Sequence, residues 1–110
     1  MTYDIERSFY RIQYPLPERP VLLAEGQSFP VIDCSEHGLR YIRPLPNPLE
    51  VGHVVRGVLT FKRGAQTVVE GEVVRIQGDQ VAVHLNITPI PMGMIMHEQR
   101  YLRMRYAMRF

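Results

Sequence analysis

Two short motifs near the start of the chain place arginine, aspartate and serine at spacings that suit the binding of an anion. The first is Arg7-Ser-Phe-Tyr-Arg11, in which two arginines stand four positions apart with two aromatic residues between them. The second is Asp33-Cys-Ser35-Glu-His-Gly38. A guanidinium group is planar and always charged, and it binds phosphates, carboxylates and guanine edges through parallel hydrogen bonds. The motifs therefore indicate local recognition of an anion.

Each motif also has an ordinary structural explanation when it is taken alone. Two arginines on an exposed arm can simply meet surface carboxylates. Asp33 and Ser35 can bond backbone amides two residues further on, as such side chains do in many turns. Gly38 would then supply a positive φ angle.

The basic residues of the chain are almost all arginine. Lys62 is the only lysine among 13 basic residues, and the formal net charge is only +2. General nucleic-acid-binding domains usually carry a larger positive excess. We therefore expect recognition of a small anion rather than binding of DNA or RNA.

Length and composition are typical of one globular domain, which we assign to residues 1–110. The 110 residues are 45% hydrophobic and 22% charged. No apolar run approaches the roughly 18 residues that a membrane-spanning helix needs. Charges interrupt the first eleven residues, where a signal peptide would be apolar. We expect a cytoplasmic protein that does not insert into a membrane.

Short runs with strand character are separated by turn residues, and no helical pattern lies between them. The runs are residues 20–24, 28–33, 39–43, 54–62, 67–77 and 81–85, with a turn over residues 34–38 and a tight hairpin at Gly78-Asp79. This order predicts a mainly all-β antiparallel sandwich or barrel over residues 19–88, and closure into a barrel would also remove exposed strand edges. Pro15 and Pro17 make a helix improbable before it, so residues 1–18 are expected to form an extended arm.

The periodicity becomes helical over residues 92–108. One face carries Met92, Ile95, Met96, Gln99, Leu102 and Tyr106, and a second stripe carries Met94, His97, Tyr101, Met104 and Met108. We predict a C-terminal α-helix that packs on the barrel through the first face. Exposed methionine and tyrosine favour a partner surface, so the second stripe is a candidate for a homodimer or for another protein.

In this order and at this spacing, the two motifs resemble the signature of the PilZ domain family. That signature is R-x-x-x-R on an N-terminal arm, followed by D-x-S-x-x-G between two strands. Arg7, Arg11, Asp33, Ser35 and Gly38 meet all of its fixed positions. The resemblance extends over nearly the whole chain. It implies a six-stranded antiparallel β-barrel that binds cyclic di-GMP without a cofactor and is not an enzyme.

The resemblance also implies how these residues would bind the ligand. Arg7 and Arg11 would close over it like a clasp, since an arginine fork fits the O6 and N7 acceptors of guanine or a phosphate. Asp33 would accept from the guanine N1 and N2 donors. Ser35 would donate to a phosphate or to a guanine acceptor. Gly38 would let the backbone approach the ligand closely.

Three further positions bear on the same site. Arg40 and Arg75 lie on neighbouring predicted strands, where either could add a phosphate contact. Many family members carry another arginine just before the first motif arginine, but this chain has Glu6 there. An acid beside ligand phosphates adds repulsion, so we expect one ligand per site rather than a stacked pair.

The remaining residues suggest neither catalysis nor a metal site. The four histidines are scattered, with no pair at metal-ligand spacing. Cys34 is the only cysteine, so no internal disulfide can form, and it has no motif histidine partner. The leading hypothesis is a cyclic di-GMP receptor that relays the signal to an effector protein in bacterial motility, adhesion or exopolysaccharide control.

Two alternatives stay open at this point. The chain could be an interaction module of the same fold that does not bind nucleotide. It could also be a small barrel that binds single-stranded nucleic acid through aromatic stacking and arginines, although the modest net charge counts against this.

Overall fold

The computed structural model of the chain describes residues 11–106, which form seven strands and one α-helix. The strands are β1 (Ile12–Gln13), β2 (Val21–Ala24), β3 (Gln27–Ser35), β4 (Gly38–Ile42), β5 (Val54–Thr60), β6 (Gln66–Gln77) and β7 (Gln80–Thr88). The helix α1 is Met92–Arg105, and a turn of 3₁₀ helix spans Leu16–Glu18. No helix within residues 11–106 is long and apolar enough to cross a membrane.

Six of the strands close into a barrel, because the sheet runs β3-β2-β5-β6-β7-β4 and β4 pairs again with β3. Every strand pair is antiparallel. The short β1 is an additional strand that pairs with the end of β3. The predicted six-stranded antiparallel barrel with a C-terminal helix is therefore confirmed.

Alternating side chains explain which face of each strand is buried. In β4, Leu39 and Tyr41 point into the core while Arg40 between them points outward. The same alternation fills the barrel with aliphatic side chains from the other strands, and burying each contributes about 1.5–3 kcal/mol. The fully buried ones include Leu22, Val31, Leu59, Val69, Val73 and Val81.

The hairpin between β3 and β4 is tighter than the sequence predicts. Cys34 and Ser35 complete β3, and Gly38 begins β4, so only Glu36 and His37 turn. The predicted turn over residues 34–38 is wrong at its two ends. Cys34 belongs in the strand because its side chain is buried in the core, opposite Leu39.

The described part of the N-terminal arm is packed against the rest of the fold. Ile12 and Tyr14 are buried in the same core cluster as Ile95 and Leu102 of α1. Glu18 is also buried, at the end of the 3₁₀ turn. This part of the arm is therefore anchored to the fold through Ile12, Tyr14 and Glu18.

The helix begins after Pro91 and buries Ile95, Glu98 and Leu102. The periodicity predicts Met96 on the packed face, but its side chain is 43% exposed. The second stripe is partly used by the barrel itself, since Met94 and Tyr101 pack against the core. Met104 stays 76% exposed, Met108 lies outside the described residues, and a homodimer through this face stays a prediction.

Candidate ligand-binding site

Asp33 is a buried carboxylate that binds two arginines. Arg11 Nη2 lies 3.2 Å from Asp33 Oδ1. Arg40 Nε donates to Asp33 Oδ2 at 3.0 Å, and Arg40 Nη2 also donates to that oxygen. The two sequence motifs thus meet in space through Arg11 and Asp33, and Arg40 joins them.

Two β-bulges turn the charged side chains of the site to the outside of the barrel. The pairing of β3 with β4 shifts between Val31 and Asp33, and the pairing of β6 with β7 shifts between Val73 and Arg75. Each shift adds one residue, which reverses the alternation from that point on. Val31 and Val73 are buried inside the barrel, whereas Asp33 pairs with outward-facing Arg40, and Arg75 is exposed.

After the bulges, one row of outward side chains crosses three paired strands beside Asp33. Arg40 pairs with Ala82, and Ala82 pairs with Arg75. Because a methyl group stands between two arginines, the surface is hollow there. We call this hollow the Ala82 pocket; its volume is about 150 Å³ and it is lined by Arg11, Arg40, Arg75, Gln77, Gln80 and Ala82.

The chemistry of the Ala82 pocket suits a polar anion. Three guanidinium groups line it, and no acidic residue within 11–106 does. Asp33 lies beneath Arg11 and Arg40 and neutralises only part of their charge. Gln80 accepts a 3.4 Å hydrogen bond from Arg40 Nη1, and each glutamine can also donate through its amide. The site therefore offers positive charge together with groups that can read the edge of a base.

Ser35 and Gly38 lie at the end of the β3–β4 hairpin, where they pair with each other. Neither is among the residues that line the Ala82 pocket. Gly38 does not have a positive φ angle, so the turn explanation for this glycine is wrong. A Cβ at Gly38 would instead lie 3.2 Å from the Ser35 hydroxyl, and the absence of a side chain there leaves room for that group.

Arg7 and Glu6 lie outside the described residues, so the structure places neither of them. The other predicted arginines, Arg11, Arg40 and Arg75, converge on one pocket. The sequence reasoning missed Gln77, Gln80 and Ala82. Their one signal in the sequence is that they lie close to the Gly78-Asp79 turn. That Gln80 and Ala82 lie opposite β4, with Gln77 opposite Gln80, is revealed only by the strand pairing.

A second, larger cavity lies between the β5–β6 turn and α1. Its volume is about 370 Å³, and it is lined by Phe61, Arg63, Ala65, Gly93, Met94, His97 and Glu98. Its two opposite charges neutralise each other, because Arg63 Nη2 donates to Glu98 Oε2 at 2.9 Å. None of Arg11, Asp33, Ser35 and Gly38, the motif residues that the structure describes, lines it. The smaller Ala82 pocket is the better candidate for binding an anion.

The Cys34 thiol and the Tyr14 hydroxyl beneath the site are held in their protonated forms, because the pKa of each is raised. Burial raises the pKa of the Cys34 thiol to about 12. Burial, together with the nearby Cys34 and Glu98, raises the pKa of Tyr14 far above its usual value. A thiol in this state is a poor nucleophile. Among residues 11–106, no group of three histidine, cysteine or acidic side chains could hold a metal ion.

Comparison with known proteins identifies one family. A family model described as the PilZ domain matches residues 5–104, which is most of the chain. A search of curated proteins finds no match.

Proposed function

The chain belongs to the PilZ domain family, a known family of cyclic di-GMP-binding domains, and we propose that it binds cyclic di-GMP at the Ala82 pocket. The observation that supports this most is the buried Asp33, which holds Arg11 and Arg40 at the edge of a pocket with a third arginine. We further propose that Arg7, Ser35 and Gly38 complete the site.

The ligand and the pocket have complementary chemistry. Cyclic di-GMP carries two phosphodiester charges and two guanines, and each guanine presents the O6 and N7 acceptors that an arginine fork binds. Arg40 and Arg75 stand on either side of Ala82, where a flat purine can lie over the methyl group and stack against a guanidinium plane. Gln77 and Gln80 would hydrogen-bond the edge of that base.

Arg11 is the arginine of the pair that is best placed to move onto the ligand. It makes one contact of 3.2 Å with Asp33, and its side chain is 40% exposed. Arg40 makes two contacts with the same carboxylate. When Arg11 turns to the ligand, Asp33 Oδ1 becomes able to accept from the guanine N1 and N2 donors. Asp33 would then exchange one charge-assisted partner for another.

PilZ domains are generally non-enzymatic binding or adaptor modules, and we propose an adaptor role in the cytoplasm for this chain. Ligand binding would fix the side chain of Arg11 over the Ala82 pocket. This costs conformational entropy, which the new contacts must offset. The altered surface would engage an effector protein in bacterial motility, adhesion or exopolysaccharide control.

Calorimetric titration with cyclic di-GMP tests the proposal. Wild-type protein is expected to bind one cyclic di-GMP per site and to show no binding of GTP. Arg11→Ala should bind about 10- to 100-fold more weakly, since a charge-assisted hydrogen bond contributes about 1.5–3 kcal/mol. Arg56→Ala is the matched control, because Arg56 pairs with Glu70 on another part of the barrel. A folded wild-type protein that fails to bind would leave an interaction module without nucleotide.

Ala82→Leu is expected to weaken binding at least about tenfold, because the larger side chain would fill the hollow between Arg40 and Arg75 and expel one base, which loses stacking of about 1–3 kcal/mol. The residue faces outward, so the fold should persist. Ala65→Leu is the same substitution at an exposed position outside the Ala82 pocket. Equal affinities of the two variants would place the ligand elsewhere.

A further inference from the structure

A buried carboxylate ties the N-terminal arm to the C-terminal helix. Tyr14 donates from its hydroxyl to Glu98 Oε1 at 2.8 Å, and Arg63 Nη2 donates to Glu98 Oε2 at 2.9 Å. Arg63 also lies over the Tyr101 ring, 3.5 Å from its centroid. Tyr14 and Glu98 are both buried. We call Tyr14, Glu98 and Arg63 the latch.

The latch holds its three elements in one arrangement. A carboxylate in the core is costly unless its oxygens are paired, and here each oxygen of Glu98 has its own donor. Glu98 is therefore tolerated only while Tyr14, directly after β1, and the β5–β6 turn stay in place. A second tie supports the first, because Glu18 Oε2 forms an ion pair with Arg105 Nε at 2.9 Å and accepts a hydrogen bond from the Tyr106 hydroxyl at 3.0 Å.

The arm that the latch holds is the arm that carries Arg11. Ile12 pairs with Cys34 and Gln13 pairs with Asp33. The backbone amide of Tyr14 donates to the Ile32 carbonyl at 3.1 Å. The position of Arg11 relative to Asp33 is thus set by the docking of the next three residues.

The Tyr14 hydroxyl also reaches the strand that carries Asp33. It lies 3.8 Å from Cys34 Sγ, and Cys34 directly follows Asp33 in β3. Tyr14 therefore sits between the ligand-binding strand and α1, and it contacts both. A displacement of β1 would break the bond to Glu98 and move Arg11 at the same time.

We propose that Tyr14 and Glu98 are positioning residues for the ligand site: they hold the backbone of Arg11 beside Asp33, from where its side chain can turn onto a ligand, and they couple occupation of the Ala82 pocket to the packing of α1. This inference rests on the proposed binding of cyclic di-GMP. The coupling is reciprocal: if the latch favours the binding-competent position of Arg11, the bound ligand must stabilise the latch by the same factor.

The experiment is calorimetric titration of Tyr14→Phe, Glu98→Ala and the double variant with cyclic di-GMP. Tyr14→Phe removes one hydroxyl and replaces none of the residues that line the pocket. Its affinity should fall about 5- to 50-fold, which lies within the roughly 5- to 150-fold range of coupled sites. The losses from the two single variants should not add in the double variant, because both break the same bond. Glu98→Gln, which keeps an acceptor for Tyr14, should retain more of the affinity than Glu98→Ala.

Two readouts separate positioning from general destabilisation. Val69→Ala truncates a buried side chain of β6 that belongs to neither the pocket nor the latch, so it should lower the melting temperature without changing the affinity. Ligand should slow amide hydrogen exchange in α1 of the wild type, and this protection should be lost in Tyr14→Phe. Affinity losses that merely follow stability, or an α1 that does not respond to ligand, would overturn the inference.

A failure of the proposed function is distinguishable from a failure of the latch. If wild-type protein does not bind cyclic di-GMP, the proposed function fails, and the latch is judged by NMR of the arginine side chains without ligand. Tyr14→Phe should then shift the Arg11 guanidinium signal and leave that of Arg56 unchanged. An unshifted Arg11 signal would overturn the positioning role.

Discussion

Gly71→Ala is expected to prevent the barrel from forming. A Cβ at Gly71 would lie 2.0 Å from the carbonyl oxygen of His84 and 2.6 Å from Leu85 Cα. Both are backbone atoms, so no side-chain rotation can relieve the overlap. The pairing of β6 with β7 is irregular between Glu70 and Glu72. At this point the two backbones are in contact, because Gly71 has no side chain. The methyl group would force them apart.

The expected loss exceeds about 4 kcal/mol, which few single substitutions reach. It is comparable to the whole stability of a small domain, about 5–15 kcal/mol. Thermal unfolding followed by circular dichroism should show no cooperative transition for Gly71→Ala. Gly93→Ala is the control, since no heavy atom outside its own helix lies within 4 Å of the added methyl group. It should equal or exceed the wild type, because alanine is the better helix former.

A stable Gly71→Ala protein would show that β6 and β7 can separate at this point without loss of the fold. That result would mean that the close approach of Gly71 to the backbone of His84 and Leu85 does not fix the position of the second half of β7. It would also weaken the assignment of the Ala82 pocket, because its floor depends on the register of these two strands.

The strands of the barrel could be predicted because their signals are local. Gly78 has a positive φ angle of 63° in the β6–β7 turn, which is the conformation that its glycine favours. The bulges that build the site carry no such signal, since a bulge exists only relative to a partner strand. Strict alternation from Val31 would have turned Asp33 into the apolar core. The motifs therefore predicted which residues form the candidate site. The arrangement of those residues in space could be derived only from the pairing of the strands.

The helix α1 also shows what local sequence patterns cannot predict. A hydrophobic periodicity assigns Met96 to the packed face and gives no reason to bury an acid. Glu98 is buried because its two hydrogen-bond donors are Tyr14, which directly follows β1, and Arg63 of the β5–β6 turn, both far away in sequence. Polar burial is decided by such distant partners. Neither the latch nor the glutamines of the pocket could be inferred from local spacing.

Asp33→Ala is expected to have the largest effect on cyclic di-GMP binding of any single substitution at the proposed site. The carboxylate holds Arg11 on one oxygen and Arg40 on the other. Its removal would release two arginines at once and delete the acceptor proposed for guanine. Each charge-assisted hydrogen bond contributes about 1.5–3 kcal/mol, so about 3–6 kcal/mol of favourable interaction is at stake.

An opposing effect reduces this loss without reversing it. Asp33 carries a negative charge, and deleting it would lower the repulsion felt by the ligand phosphates. Two unit charges 4 Å apart interact by about 1 kcal/mol in bulk water. The net loss is then about 2–5 kcal/mol, which corresponds to a roughly 30- to 5000-fold weaker affinity. The positioning of the arginines outweighs the change in charge.

Titration of Asp33→Ala, Asp33→Asn and Asp79→Ala separates the two effects. Asp79 lies exposed in the β6–β7 turn, so Asp79→Ala removes the same charge near the Ala82 pocket but leaves both arginines anchored. Its affinity should equal or slightly exceed that of the wild type. Asp33→Asn keeps one acceptor oxygen and should fall between Asp33→Ala and the wild type. Tighter binding by a folded Asp33→Ala protein would mean that the ion pairs restrain the arginines from the ligand, which would contradict their proposed role in presenting them.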